Sequence, residues 1–396
     1  MPKPPKGQDI MKEMTSRQRL LAAIEGLPVD RIPVSPRIWR YAAWKNTTDV
    51  QLARQLGFDC FLFGIGCPVV PIHDALCISV AETIPEVEVT LKTGTEGEKT
   101  VAERTFRTPG GILTDVLVIP PPNREYGISP NPEWRERLIK ARRDVELLPY
   151  LLPGPQLLCE KLGQARDLED ALGNRGLVAF RPATGVDQLV VDSIGPAESL
   201  MASLLDPEML DRTVELVDRW YMGWMKLVLE DGWKILYDSF FNFSLSVGWS
   251  PGFYRDKVAP VIRRHAELVH RYGAKLFFYD DGKLAGSIGF VLDAGADIVQ
   301  TLTPPPGGDL DFKWLAENHG GRACFNGGID TVKIRFGKPE EIRQDVRDAI
   351  DVLAPTRRFI LGTSDSITEG TPEENIRAFF SAAREHGRRA AKELYG

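Results

Sequence analysis

From about residue 175 onward, short apolar runs alternate with amphipathic stretches, and this alternation constrains the fold more than any other feature. The runs are Leu177 to Phe180, Ile235 to Tyr237, Leu276 to Phe278, Asp297 to Leu302, Ala323 to Phe325 and Phe359 to Leu361. Such near-continuous hydrophobicity is what a parallel strand buried on both faces requires. Helical patterns come after them, several with their own start signals. Asp206-Pro207-Glu208 and Ser250-Pro251 each supply a capping side chain with proline at the first helical position. Thr371 and Glu374 stand in capping-box spacing around Pro372. Two earlier runs, Arg31 to Val34 and Phe58 to Phe63, bring the count to about eight. Alternating βα units build a parallel sheet, and about eight of them close into a barrel. The expected fold is therefore α/β, a TIM (β/α)8 barrel. No GxGxxG follows a strand, which argues against an open dinucleotide-binding sheet.

Two stretches break the alternation. Residues 85 to 119 run with period two around a Gly-rich turn, which predicts a β-hairpin excursion inserted in the barrel. Trp134 to Leu152 is expected to be helical. Near the start, Thr15 and Gln18 have capping-box spacing, and the helix they open is expected to stop at Gly26. Residues 1 to 14, rich in Lys and Pro, are expected to be a disordered tail, with a single domain from 15 to 396.

Composition excludes several classes of partner. Hydrophobic residues make up 43% of the chain, enough for a sizeable core. A net charge of -6 gives nucleic acid or an anionic membrane nothing to recognise. No stretch approaches the ~20 apolar residues of a membrane span, and the start has no apolar core of a signal peptide. A cytoplasmic location is the expectation. Five cysteines, an odd and sparse set, are expected to be thiols rather than a disulfide framework. Cys67, His73 and Cys77 follow a C-x5-H-x3-C spacing that matches no compact zinc pattern. His265 and His270 are five residues apart on one helix, not the four that aim two ligands at one metal, and are expected on the surface.

The chemistry is concentrated at strand ends. Lys275 to Gly282 reads KLFFYDDG, an apolar run that ends in Tyr279, Asp280 and Asp281. Carboxylates there must meet solvent, a cation or a ligand, because an uncompensated buried charge is too costly. Asp238, Asn326 to Asp330 and Thr363 to Ser366 end three other late strands. In a barrel, strand ends share one face, where ligands bind. Tyr279, Asp281 and Asp238 are the candidate catalytic residues, for general acid–base work. Arg37 and Arg40 suit carboxylate or phosphate binding. With Tyr41, Asn326, Asp330 and Ser364 they form the candidate substrate-binding set.

Several stretches together resemble the uroporphyrinogen decarboxylase-like family. They are RQRLLAAIEGLPVDRIPV, SPGFYRDKVAPVIRRHAELVHRYGAKLFFYDDG, GGIDTVKIRFGKPEEIRQDVRDAIDVLAP and LGTSDSITEGTPEENIRAFFSAAREHG. The resemblance covers most of the chain and is weakest over roughly residues 85 to 175. It implies a TIM barrel, a homodimer and one of two activities. One is decarboxylation of uroporphyrinogen acetate groups without a cofactor. The other is corrinoid-linked methyl transfer, with cobalamin carried on a partner protein and a divalent metal such as zinc activating the reactant.

The chain departs from both patterns. The decarboxylases carry Arg-Gln-Ala-Gly-Arg-Tyr after the first strand; here Arg37-Ile38-Trp39-Arg40-Tyr41 brings the arginines one residue closer. Their acid after the second strand is replaced by Gly64-Ile65-Gly66-Cys67. The zinc methyltransferases use His-x-Cys and a later Cys; here Tyr279-x-Asp281 and Ser364-Asp365-Ser366 stand instead. An oxygen-rich metal site, with Asp281 and Asp365, or Asp238 in place of Asp365, as ligands, is what the resemblance leaves open. The leading expectation is a methyltransferase acting on a small O- or N-methylated compound. A decarboxylase of a smaller carboxylated substrate and a barrel that binds a ligand without chemistry are the alternatives.

Overall fold

A computed structural model describes residues 13–66, 70–78, 83–123, 130–154 and 158–396, with the backbone alone for 158–161. The expected N-terminal tail and Cys67 therefore lie mostly outside the described residues. The strands are β1 (Cys60–Ile65), β2 (Glu88–Glu96), β3 (Lys99–Thr108), β4 (Gly111–Ile119), β5 (Glu133–Glu136), β6 (Gly176–Phe180), β7 (Ile235–Ser239), β8 (Lys275–Tyr279), β9 (Ile298–Leu302), β10 (Cys324–Ile329) and β11 (Phe359–Thr363). The chain divides into two compact units, one of Met1–Phe61, Ala171–Leu177 and Thr301–Gly396, the other of Leu62–Asp170 and Val178–Gln300.

In the second unit β6, β7, β8 and β9 pair in parallel, with Leu236 beside Leu276 and Tyr279 beside Gln300. Leu276, Phe277 and Phe278 are fully buried. Each such side chain contributes roughly 1.5–3 kcal/mol through burial, which explains why the run stays in the sheet interior. The connecting helices begin where capping chemistry starts them. Asp206 accepts from the Met209 amide at 3.2 Å, and helix Pro207–Glu230 begins there. Ser250 accepts from the Phe253 amide at 3.1 Å, starting a helical run that loosens into a π turn over Tyr254–Val258 and continues as Ala259–Arg271.

The same unit carries a four-stranded antiparallel sheet in the order β2-β3-β4-β5. Residues 134–152 are not one helix: they form β5, a single turn at Arg142–Val145 and a 3-10 turn at Leu148–Leu151. The cause is local and tertiary. Leu117 pairs with Trp134, drawing the segment into the sheet, and Pro149 keeps the last turn from extending into a longer helix.

In the first unit β10 and β11 are parallel, and Val34 adds one bridge to Leu361. The capping box at Thr15 and Gln18 forms with both hydrogen bonds, and Gly26 closes the helix in a left-handed conformation. The last helix, Glu373–Tyr395, starts without the expected box. The Thr371 hydroxyl donates instead to the Thr368 carbonyl at 2.8 Å, closing the preceding turn. Among the described residues no helix is long and apolar enough to cross a membrane.

Candidate active site

Side chains on a strand alternate between its two faces, so the ends of β7 and β8 present two different surfaces. On one face Tyr237, Phe277 and Tyr279 meet Phe63 of β1. The Phe63 ring stacks on Tyr237 at 5.6 Å and meets Phe277 edge-on at 5.3 Å. Tyr237 and Tyr279 lie 5.5 Å apart, and Phe241 stands edge-on to Tyr279 at 6.4 Å. Phe63, Phe241, Asp281 and Arg181 are only half-buried, so this aromatic recess opens to solvent at the carboxyl ends of the strands.

Polar groups stand at its rim. The Tyr279 hydroxyl donates to the Asp281 carboxylate. The Asp281 carbonyl accepts from Ser244 at 3.1 Å and Ser246 at 2.9 Å, which fixes the turn that carries it. Arg181 stands directly after β6; its backbone N–H bonds the Ile65 carbonyl, its Nη2 reaches Gln188 at 2.9 Å, and its guanidinium lies 6.0 Å over the Tyr237 ring. An aromatic box with a guanidinium and a phenol–carboxylate pair can hold a planar or cationic organic group and supply a proton to it.

Asp238 points to the opposite face, into the layer between sheet and helices. There His265 Nδ1 meets Asp238 at 2.6 Å and Nε2 meets Asp218 at 2.7 Å. His265 was expected on the surface; it is fully buried, because helix Ala259–Arg271 turns it onto β7 rather than outward. Burial alone depresses an imidazole, but the Asp238 charge and the bonds its N–H groups donate to Asp218 and Asp238 outweigh it and raise His265 from 6.5 to about 9. Burial would raise Asp218, yet bonds from His265 and Arg264 hold it below the usual carboxylate range. Asp187 lies nearby, pushed up to about 7 by burial although the Asn242 amide donates to it at 2.6 Å. Burial also drives Asp280 and Tyr254 well above their ordinary values, with the surrounding carboxylates adding to Tyr254.

The remaining residues singled out from sequence belong to the other unit. Arg37 pairs with Asp365 at 3.0 Å, and Arg40 grips both oxygens of Glu369 at 2.9 and 3.2 Å. Backbone bonds from Arg37 to Thr363 and from Arg40 to Ser366 stitch the two loops together. Tyr41 is buried beside Trp44. Asp330 caps helix Thr331–Phe336, and the Ser364 hydroxyl accepts from the Thr331 amide at 3.2 Å. Asn326 is buried with neither amide atom bonded among the described residues. A Cβ at Gly362 would lie 2.5 Å from its Oδ1, so only glycine fits there.

The structure thus brings Tyr279 and Asp281 together, turns Asp238 away from them, and engages Arg37 with Asp365. Of the Cys67, His73 and Cys77 set, His73 pairs with Asp192 at 3.1 Å. No three His, Cys, Asp or Glu side chains among the described residues stand where they could share a metal ion. Asp281 is bonded by a phenol on its carboxylate and by two serines on its carbonyl, none of them the Cys or His that zinc sites favour. Arg181, His265 and Gln300 carry weight that sequence reasoning did not assign. The available signal was an Arg directly after an apolar run and a lone Gln inside another.

The family model for uroporphyrinogen decarboxylase (URO-D) matches residues 181–386, more than half of the chain and starting at Arg181. The chain belongs to the URO-D family. A curated URO-D relative, the uroporphyrinogen decarboxylase of Prochlorococcus marinus (strain MIT 9211), is 26% identical over 298 residues, covering 71% of this chain and 80% of that one. Among solved structures, a methyltransferase from Methanosarcina mazei superimposes with a TM-score of 0.63 at 15% identity, covering 94% of this chain and 99% of that one. That likeness shows a shared fold between this URO-D member and the methyltransferase.

Proposed function

We propose that the aromatic recess is the substrate site of a corrinoid-linked methyltransferase that takes a methyl group from a small O- or N-methylated compound. In this reading the parallel strands belong to a (β/α)8 barrel with the antiparallel sheet inserted in it. The fold likeness to the Methanosarcina mazei methyltransferase supports it. The single observation that carries the function is the Tyr279 hydroxyl bonded to Asp281 at the edge of an aromatic box.

When a carbon–oxygen bond to a methyl group breaks, the departing alkoxide keeps the electron pair and needs a proton. A reduced corrinoid carried by a partner protein would supply the nucleophile for the methyl group, while this chain holds the methylated compound in place. Tyr279 delivers the proton by rotating its hydroxyl from Asp281 to the departing oxygen, the phenolate left behind regains a proton from water, and Asp281 orients the phenol between turnovers. Phe63, Tyr237 and Phe241 hold the substrate skeleton and exclude water. Arg181 anchors a negatively charged substituent where one is present.

The test is incubation with cob(I)alamin and a panel of methoxylated aromatics and methylated amines, with methylcobalamin followed by its absorbance. Formation with at least one member is the expected result. No product with free cob(I)alamin, and none with a corrinoid protein from the same source, overturns the reading. The URO-D relative favours a second reading, decarboxylation of a carboxylated substrate held by arginine. Carbon dioxide release without any corrinoid would establish that one instead.

A further inference from the structure

Beside Tyr279, at the same level of the sheet, stands a buried polar group without a bonded partner among the described residues. Gln300 is fully buried, and neither Nε2 nor Oε1 has a hydrogen-bond partner among the described residues. Its position is well defined. β8 and β9 are parallel with Tyr279 beside Gln300 and Phe277 beside Ile298. Paired residues on neighbouring strands project from the same face, about 4.8 Å apart. Gln300 therefore stands next to Tyr279 on the face where Phe277 and Tyr279 meet Phe63 and Tyr237. The Asp280 amide donates to the Gln300 carbonyl at 2.8 Å, holding its backbone in register.

A buried amide loses its water and regains nothing unless a partner arrives. Leu or Met would fill the same volume without that loss. A carboxamide offers a donor and an acceptor side by side. Its complement is a ligand edge with an acceptor and a donor on adjacent atoms.

We infer that Gln300 is a specificity-determining residue, and that it selects substrates bearing a hydroxyl next to the methylated oxygen. This inference rests on the methyl-transfer reading. The Gln300 N–H donates to the ether oxygen, on the side from which Tyr279 delivers its proton, and Oε1 accepts from the neighbouring hydroxyl. As the methyl group leaves, that N–H also faces the developing alkoxide. A substrate with two methyl ethers satisfies the donor and leaves the acceptor buried and unmatched. Sites built to bond a hydroxyl discriminate strongly against analogues that lack it.

The experiment measures binding, by calorimetry, of 2-methoxyphenol and 1,2-dimethoxybenzene to the wild-type chain, Gln300→Leu and Gln300→Met. Thermal melts confirm folding of each. Wild type is expected to prefer 2-methoxyphenol by about tenfold or more, as one lost buried hydrogen bond predicts. Both variants are expected to bind the two compounds within about twofold, and to melt no lower than wild type because they remove an unsatisfied amide. Absence of preference in wild type overturns the inference, as does preference that survives in both variants. Lower melting of both variants overturns it too, since the amide would then already be satisfied by ordered water. If wild type forms methylcobalamin from panel members that lack the hydroxyl as readily as from 2-methoxyphenol, the inference falls and the methyl-transfer reading stands. If no panel member yields methylcobalamin, both fall.

Discussion

At the scale of single residues, Tyr279 and Asp281 form a pair in which each needs the other. The phenol has the proton, and the carboxylate keeps that hydroxyl at the mouth of the recess. Replacing Tyr279 by Phe keeps the ring against Phe63 and Tyr237 and removes the hydroxyl with its bond to Asp281. If Tyr279 is the proton donor of the proposed methyl transfer, Tyr279→Phe lowers kcat by roughly 10²- to 10⁴-fold while KM changes little, because proton donation acts in the transition state. Steady-state methyl transfer to cob(I)alamin measures both. A kcat within about twofold of wild type would remove Tyr279 from the chemistry. Asp238 illustrates the opposite case. One position along the strand from Tyr237, it faces the helices and holds His265, so its carboxylate belongs to a buried polar chain and not to the recess.

At the scale of elements, helix Pro207–Glu230 matters because it carries Asp218 to His265. It also lines an outer groove of about 560 Å³ together with Phe253, Lys257 and Arg264, where Asp218 forms one end of the buried chain. The helix begins at the Asp206 cap, whose side chain also pairs with Arg142. Asp206→Ala should therefore cost about 1 kcal/mol from the lost cap, with little added from an exposed ion pair. Urea unfolding reads this as a lower midpoint at unchanged slope. Unchanged stability would show that the tertiary contacts of the helix, not its cap, hold its first turn.

At the scale of the whole molecule, buried charge makes stability depend on pH. His265 has Asp238 and Asp218 against its two nitrogens, Arg264 on the far side of Asp218, and Tyr254, Asp187 and Asp280 in the same layer. A group whose pKa is raised by folding binds its proton more tightly in the folded chain. His265 therefore contributes its stability in full below its ordinary 6.5, and that contribution is lost as pH rises through about 9. Asp187 and Asp192, both raised from 3.8 to about 7 chiefly by burial, act in the same direction, with their loss complete soon above pH 7. The melting temperature is expected to fall between pH 6.5 and 9.5. The fall should be shallower in His265→Gln, compared with its own value at pH 6.5. Calorimetric melts across that range check it, and a flat or rising wild-type profile would contradict a buried imidazolium.

Much of the fold was legible because its causes are local. Apolar runs long enough for a buried strand, proline after a capping side chain, and glycine at a helix end act within a few residues, so β7, β8 and the helices after them could be read directly. That Tyr279 and Asp281 stand together at one strand end was legible for the same reason, and the hydrogen bond between them is the structure's addition. The sequence by itself determined the alternating strands and helices from about residue 175 onward and that acidic and aromatic groups stand at strand ends. Only the tertiary structure decided which face each group occupies, because that depends on what packs against the strand. It turned Asp238 onto His265, drew residues 133–136 into a sheet, and left the Gln300 amide buried and unbonded beside Tyr279.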